Sequence, residues 1–208
     1  MTIPIRLLSL TTLLILLNGC ATMSEEECLL ADWHSIGYED GARGRDLGRL
    51  SRHRQACADH GVRPDTAAYR SGRAQGLELY CTELRGFRLG RSGGTYNGVC
   101  PAELEGLFVQ GYEVGRGLYQ ARNAATAVAD ALDSAHSERE QILDDITAMS
   151  ARLVSDESTR EERVTLLADI ARLKGRHTEL GLDIRDLEHE LALREADYRE
   201  AQLHSPYH

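Results

Sequence analysis

The sequence predicts an all-α protein, a small disulfide-stapled glycine-rich helical domain followed by a long antiparallel coiled-coil hairpin. Three observations predict it. Sixteen of the nineteen glycines lie between Gly37 and Gly117. Cys28, Cys57, Cys81 and Cys100 all precede residue 101. From Leu118 onward there is no proline until Pro206, and apolar residues recur at coiled-coil spacing. Charge divides at the same place: residues 20–117 carry 12 Arg against 14 Asp plus Glu, and residues 118–208 carry 11 Arg plus Lys against 19 Asp plus Glu.

The chain begins with a short segment carrying Arg6, then an uncharged apolar run from Leu7 to Leu17, then Leu17-Asn18-Gly19-Cys20. The run is too short to span a bilayer as a helix, which needs about 20 residues, and has the length of a signal-peptide core. Leu17, Gly19 and Cys20 resemble the lipobox of bacterial lipoproteins. That resemblance implies removal of residues 1–19, lipidation of Cys20 and acylation of the new amine, with residues 20–23 as a short tether. Two or three acyl chains hold far better than one, at about 0.8 kcal/mol per buried CH₂. Ala21 follows the cysteine, and by resemblance to the lipoprotein sorting rule this favours the outer membrane with the body facing the periplasm.

Residues 24–117 read as the stapled domain. Ser24-Glu25-Glu26-Glu27 is a capping box that opens a helix, with three acids suited to the helix dipole. That helix is expected to carry Leu30, Trp33, Gly37, Gly41, Gly44 and Gly48 on one face. A related unit recurs: Tyr69 with Gly72, Gly76 and Tyr80; Phe87 with Gly90, Gly94 and Tyr96; Phe108 with Gly111, Gly115 and Tyr119. Trp33-Gly37-Gly41 looks like an earlier copy. A glycine inside a helix costs about 1 kcal/mol relative to alanine, so an offset is needed. Close helix approach over glycine, covered by the neighbouring aromatic, supplies one. Gly93-Gly94 and Asn97-Gly98 fit turns instead. Arg43, Arg45, Arg73 and Arg116 exclude a transmembrane reading of these stretches.

Four cysteines in an oxidising compartment predict two bridges, and three connectivities are open. A helical hairpin favours Cys28–Cys57, and closure of the loop around Gly86–Asn97 favours Cys81–Cys100. Pro101 then suits the first turn of the next helix.

The run Trp33…Gly37…Asp40-Gly41, Tyr69…Gly72…Gly76-Leu77…Tyr80-Cys81, Gly86-Phe87…Gly90…Tyr96…Val99-Cys100-Pro101 and Phe108…Gly111-Tyr112…Gly115-Arg116 resembles a family of bacterial lipoproteins, the domain of unknown function family numbered 2799. The resemblance covers about residues 24–120. It implies no activity and no catalytic residue.

Residues 118–203 read as coiled-coil helices. Leu166, Leu173, Leu180 and Leu187 form one heptad row, and Ile170, His177, Ile184, Leu191 and Tyr198 a second. Leu132, Ala135, Arg139, Ile142, Ile146, Met149 and Leu153 form an earlier seam out of phase with it. Ser158 or Thr159, ahead of Glu161 and Glu162, predicts a helix start and places a turn near 155–159. The reading is two helices folded back on each other; the competing one is a continuous helix with a phase slip that pairs with a second copy. Residues 204–208 are expected to fray.

Chemistry-bearing constellations are sparse. Cys57-x-x-His60 with Cys28 and His34 has the donor types of a zinc site, but the spacing does not recur around Cys81 and Cys100, and secreted cysteine pairs oxidise. Gly90-Arg-Ser-Gly93-Gly94-Thr95 lacks the lysine of a phosphate loop. Glu39-Asp40 and Asp144-Asp145 are paired acids on charged faces. The acidic balance argues against nucleic acid. The expectation is therefore no cofactor, no metal and no catalysis. The chain reads as a periplasmic, membrane-anchored structural or interaction protein, its partners the bilayer and either another protein or a second copy through the coil. The alternative is a small-ligand or metal-binding module with the coil as spacer.

Overall fold

The computed structural model describes residues 23–207. Seven helices are present among them: α1 (Glu25–Leu29), α2 (Trp33–Ala42), α3 (Gly48–Ala58), α4 (Thr66–Tyr80), α5 (Glu83–Arg91), α6 (Ala102–Leu153) and α7 (Arg160–His204). No strand occurs among the described residues. The chain divides into two compact units. One comprises residues up to Gly86 with Thr95–Gly111, the other Phe87–Gly94 with Tyr112–His208.

The capping box at Ser24 forms, with Glu27 reaching back to the Ser24 backbone at 2.7 Å. The single helix expected from Ser24 through Gly48 is instead three. Asp32 starts α2 afresh by accepting from the His34 and Ser35 backbone N–H groups. Gly44 ends it: at φ 67° it is left-handed, a conformation costly for any residue with a Cβ. Around it, Arg45 N–H donates to Asp40 O and Gly44 N–H to Gly41 O, the paired closure of a Schellman motif. Gly48 then opens α3.

In the first unit α2 packs on α4 across glycine. A Cβ placed on Gly37 would collide with the Tyr69 carbonyl, and one on Gly41 with the Arg73 carbonyl. Reciprocally, Gly72 faces the His34 carbonyl and Gly76 the Tyr38 carbonyl. The two backbones therefore meet directly, with no side chain between them. Trp33, Leu50, Tyr69, Met23 and the Cys28–Cys57 bridge fill the core beside the crossing.

The second unit repeats the device. Gly90 of α5 faces the Tyr112 carbonyl, and Gly115 of α6 faces the Phe87 carbonyl. Gly93, at φ 77°, closes α5 with the same pair of bonds, Gly94 N–H to Leu89 O and Gly93 N–H to Gly90 O. Gly44 lies against the Tyr80 ring and Gly93 against the Tyr119 ring. The internal repeat is thus a pair of helices crossing on glycine. Helix α2 corresponds to α5 and α4 to the start of α6. Gly93 and Gly94, expected in a turn, lie beyond the end of α5.

Cys28–Cys57 and Cys81–Cys100 are the bridges, with Cα–Cα distances of 5.5 and 5.7 Å. Cys28–Cys57 ties α1 to the end of α3, and Cys81–Cys100 ties the start of the α4–α5 connection to the residue before Pro101. Pro101 stands just ahead of α6, where its carbonyl accepts from Leu104 and Glu105.

The rest of the second unit is the antiparallel hairpin of α6 and α7. Ala135 and Ile142 pack against Leu173, Leu180 and Ile184, with Leu132, Ile146, Met149 and Leu187 at the margin. Arg176 donates to both carboxylate oxygens of Glu138, at 2.8 and 3.2 Å, which fixes the register. The turn is built from polar contacts: Ser158 Oγ to Arg152 O, Arg163 to Ser155 O, and a capping box between Thr159 and Glu162. In the tail expected to fray, residues 205–207 make contacts. Ser205 is buried, and the Tyr207 ring stacks on Phe87 at 4.3 Å between centroids.

Substitution Gly72→Ala is expected to cost about 2–3 kcal/mol or more, because the new methyl meets a carbonyl that cannot move without parting the helices. Gly175→Ala, where a Cβ meets open space, is expected to stabilise by up to about 1 kcal/mol. Urea denaturation of the two variants checks the contrast.

Candidate functional site

Helix α3 exists only in the first glycine pair, and it brings polar side chains into that unit. Leu50, His53 and Cys57 form its buried face. The bridge from Cys57 to Cys28 clamps the end of that face to α1. Arg49 lies one turn before His53, so both project from one side of α3.

Opposite them stands Asp40, between Gly37 and Gly41 in sequence and buried with them. Its Oδ2 lies 2.8 Å from His53 Nε2 and accepts from the Tyr69 hydroxyl at 2.9 Å. Its Oδ1 lies 3.7 Å from Arg49 Nε. Asp40 and His53 are 5% and 4% exposed, and Tyr69 is fully buried. The imidazole sits near two rings, Trp33 at 6.4 Å and Tyr69 at 6.1 Å between centroids. Arg73, on α4, is buried too; its guanidinium donates twice to the Arg45 carbonyl, at 3.2 and 2.8 Å.

Burial acts to raise the pKa of Asp40. The hydrogen bonds from His53 and Tyr69 and the charges of His53 and Arg49 outweigh it, holding the carboxyl below its usual range. Burial, with Asp40 as acceptor, pushes the Tyr69 phenol up, so it stays a donor. Two nitrogens in the cluster, His53 Nδ1 and Arg49 Nε, are buried without a hydrogen-bond partner.

A cleft of about 590 Å³ opens beside this cluster, within the first unit. His53, Arg49 and Asp40 line it, with Met23, Leu30 and Ile36 on its apolar side.

Cys20 and residues 1–19 lie outside the described residues. Cys28 and Cys57, the sulfurs the zinc reading required, are bonded to each other, and Cys81 to Cys100. Among the described residues no three His, Cys, Asp or Glu side chains are grouped to hold a metal ion. In the Gly90–Thr95 segment the Gly94 carbonyl accepts from Tyr112. Of the paired acids, Glu39 is exposed and bonded to Arg43, whereas Asp40 is inside. The sequence reading missed the cluster. A signal was present: Asp40 falls seven residues after Trp33 and three after Gly37, on the inward face of a helix, where a carboxylate needs buried partners.

Residues 32–117 match the family described as protein of unknown function (DUF2799). Comparison with curated proteins and with solved structures finds no match.

The depressed Asp40 group contributes stability that is present above its unfolded value, about 3.9, and lost as pH falls through the folded one. Tyr69→Phe is therefore expected to cost about 1.5–3 kcal/mol at neutral pH, as a bond to a charged acceptor. The loss shrinks progressively as pH falls from about 4 through the lower folded value, since Asp40 is neutral in both states only below the latter. Denaturant titrations at several pH values measure it.

Proposed function

We propose that this chain, whose residues 32–117 form a domain of the DUF2799 family, is a lipid-anchored periplasmic protein of the cell envelope with a non-catalytic structural or interaction role. The observation that carries the reading is the N-terminal run of Arg6, Leu7–Leu17 and Gly19-Cys20. Removal of residues 1–19 leaves Cys20 as the acylated end, four residues before the α1 cap. The paired state of all four remaining cysteines supports it, since disulfides persist in oxidising compartments. Among the described residues no helix is long and apolar enough to cross a membrane, so on this reading the acyl chains supply the attachment.

The hairpin supports an interaction role. Helix α7, at 45 residues, is about 68 Å long at 1.5 Å per residue. Its seam is occupied by the partner helix. Its outer faces are charged, with Arg176 and Arg194 each paired to carboxylates, and carry separate exposed leucines, Leu167, Leu182 and Leu193. An arm of this kind meets a partner along its flank while its own core stays closed. The second reading, a small-ligand module with the arm as spacer, draws on the cleft beside Asp40 and His53.

Expressed in a Gram-negative host, the protein is expected to incorporate labelled palmitate and to partition with membranes. Cys20→Ser is expected to abolish the label and accumulate as the unprocessed form. A variant processed and located like the native protein would sink the proposal.

A further inference from the structure

Helix α1 gains little from folding. Of its residues only Cys28 is buried, and Leu29 and the C-cap Leu30 are 61% and 77% exposed. Five residues do not sustain a helix in water on their own. The Ser24–Glu27 capping box and the Cys28–Cys57 bridge hold this one in place. Neither uses the leucines, so a polar pair would fold as well at these positions. Single exposed apolar residues are ordinary on a protein surface. Two in succession, in a domain with few large apolar side chains, keep a joined apolar patch in water.

The position of the patch says what covers it. Ser24, Glu25, Glu26, Leu29 and Leu30 line one shallow depression, so both leucines share a surface with the start of α1. Just ahead of that start Met23 is buried, its sulfur 3.9 Å from Cys57 Sγ. The core therefore grips the chain three residues after Cys20. Consecutive Cα atoms are about 3.8 Å apart, so Cys20 lies within about 11 Å of Met23. An acylated residue that close brings α1 to the lipid surface. The charges say which kind of surface. Glu25, Glu26 and Glu27 are exposed, and α1 has no basic residue to offset them. An anionic surface repels such a helix. A zwitterionic one does not, and the carboxylates can stay among its headgroups while the leucines pass below. Two leucines alone hold a bilayer weakly. Behind so short a tether the contact is intramolecular, at an effective concentration on the order of millimolar, and a weak contact then persists.

We propose that Leu29 and Leu30 insert into the interface of a zwitterionic phospholipid bilayer and form a second attachment beside the acylated Cys20. One attachment leaves the first unit free to turn about its tether. Two fix which of its faces meets the lipid. The inference rests on the lipid-anchor reading and adds to it the protein surface that touches the membrane.

The test is fluorescence of the protein purified from membranes and reconstituted in phosphatidylcholine vesicles whose acyl chains carry bromine, a contact quencher of indole. Leu30→Trp supplies the probe. The native protein, whose one tryptophan is the buried Trp33, supplies the background. Palmitate label and flotation with the vesicles are read on the same samples. The L30W indole is expected to lose about half its emission to bromine near the top of the acyl chains, since interfacial apolar groups sit about 5–10 Å into that boundary. Leu29→Trp is expected to behave alike, and decides the matter should L30W fold poorly. Quenching that grows when phosphatidylglycerol replaces part of the lipid at constant bromine overturns the choice of a zwitterionic surface. Labelled, floating protein whose variant indoles ignore bromine overturns the inference and leaves the anchor standing; blue-shifted emission in that case marks cover by a second copy or another protein. Unlabelled protein that stays in the aqueous phase overturns both.

Discussion

The direct meeting of two helix backbones is the constraint from which the rest of this structure follows. At Gly37, Gly41, Gly72 and Gly76 the helices touch through main-chain atoms, and carbonyl oxygens occupy the space where a Cβ would stand. Such contact gains dispersion energy over a long seam, but it leaves little apolar volume between the helices. The core must form beside the crossing, where Trp33, Tyr69 and Leu50 supply bulk. The bridge between Cys28 and Cys57 belongs to the same arrangement. It limits the freedom of the unfolded chain in a domain with few large apolar side chains.

Repetition of the crossing separates what the architecture needs from what it carries in addition. Both glycine pairs have the left-handed closing glycine, the tyrosine ring over it and the reciprocal backbone contacts. The extra helix α3 and the cluster of Asp40, His53, Tyr69 and Arg49 belong to one pair alone. A buried carboxylate with two close donors is stable once formed, yet it improves on a hydrophobic pair only when something else requires it. The same asymmetry places the one cleft described beside a titratable cluster within the first unit.

The hairpin follows a different physics. Its seam is ordinary apolar interdigitation, interrupted where Arg139 and His177 place buried nitrogens without partners. Polar residues in a coiled-coil seam reduce stability and favour one register over its neighbours. The Arg176–Glu138 bridge acts in the same direction from outside the seam. The turn needs no glycine or proline, because Ser158, Thr159 and Arg163 satisfy the chain ends with side-chain and capping bonds.

Helical class, the cap at Ser24, a helix start at Ser158 or Thr159, the cysteine pairs and the heptad rows were legible in the residues. Each rests on local chemistry or on a period of a few residues, which a linear chain displays directly. The break of the first helix at Asp32 and Gly44 was not read, since a continued glycine spacing mimics one long face. The candidate site was readable only as a misplaced Asp40. Its partners lie 13 and 29 residues away, on other helices. Periodicity tells which side of a helix turns inward, but not which helix it meets there. That choice is made when the glycine faces find each other, and with it the tertiary fold determines which buried charges become neighbours.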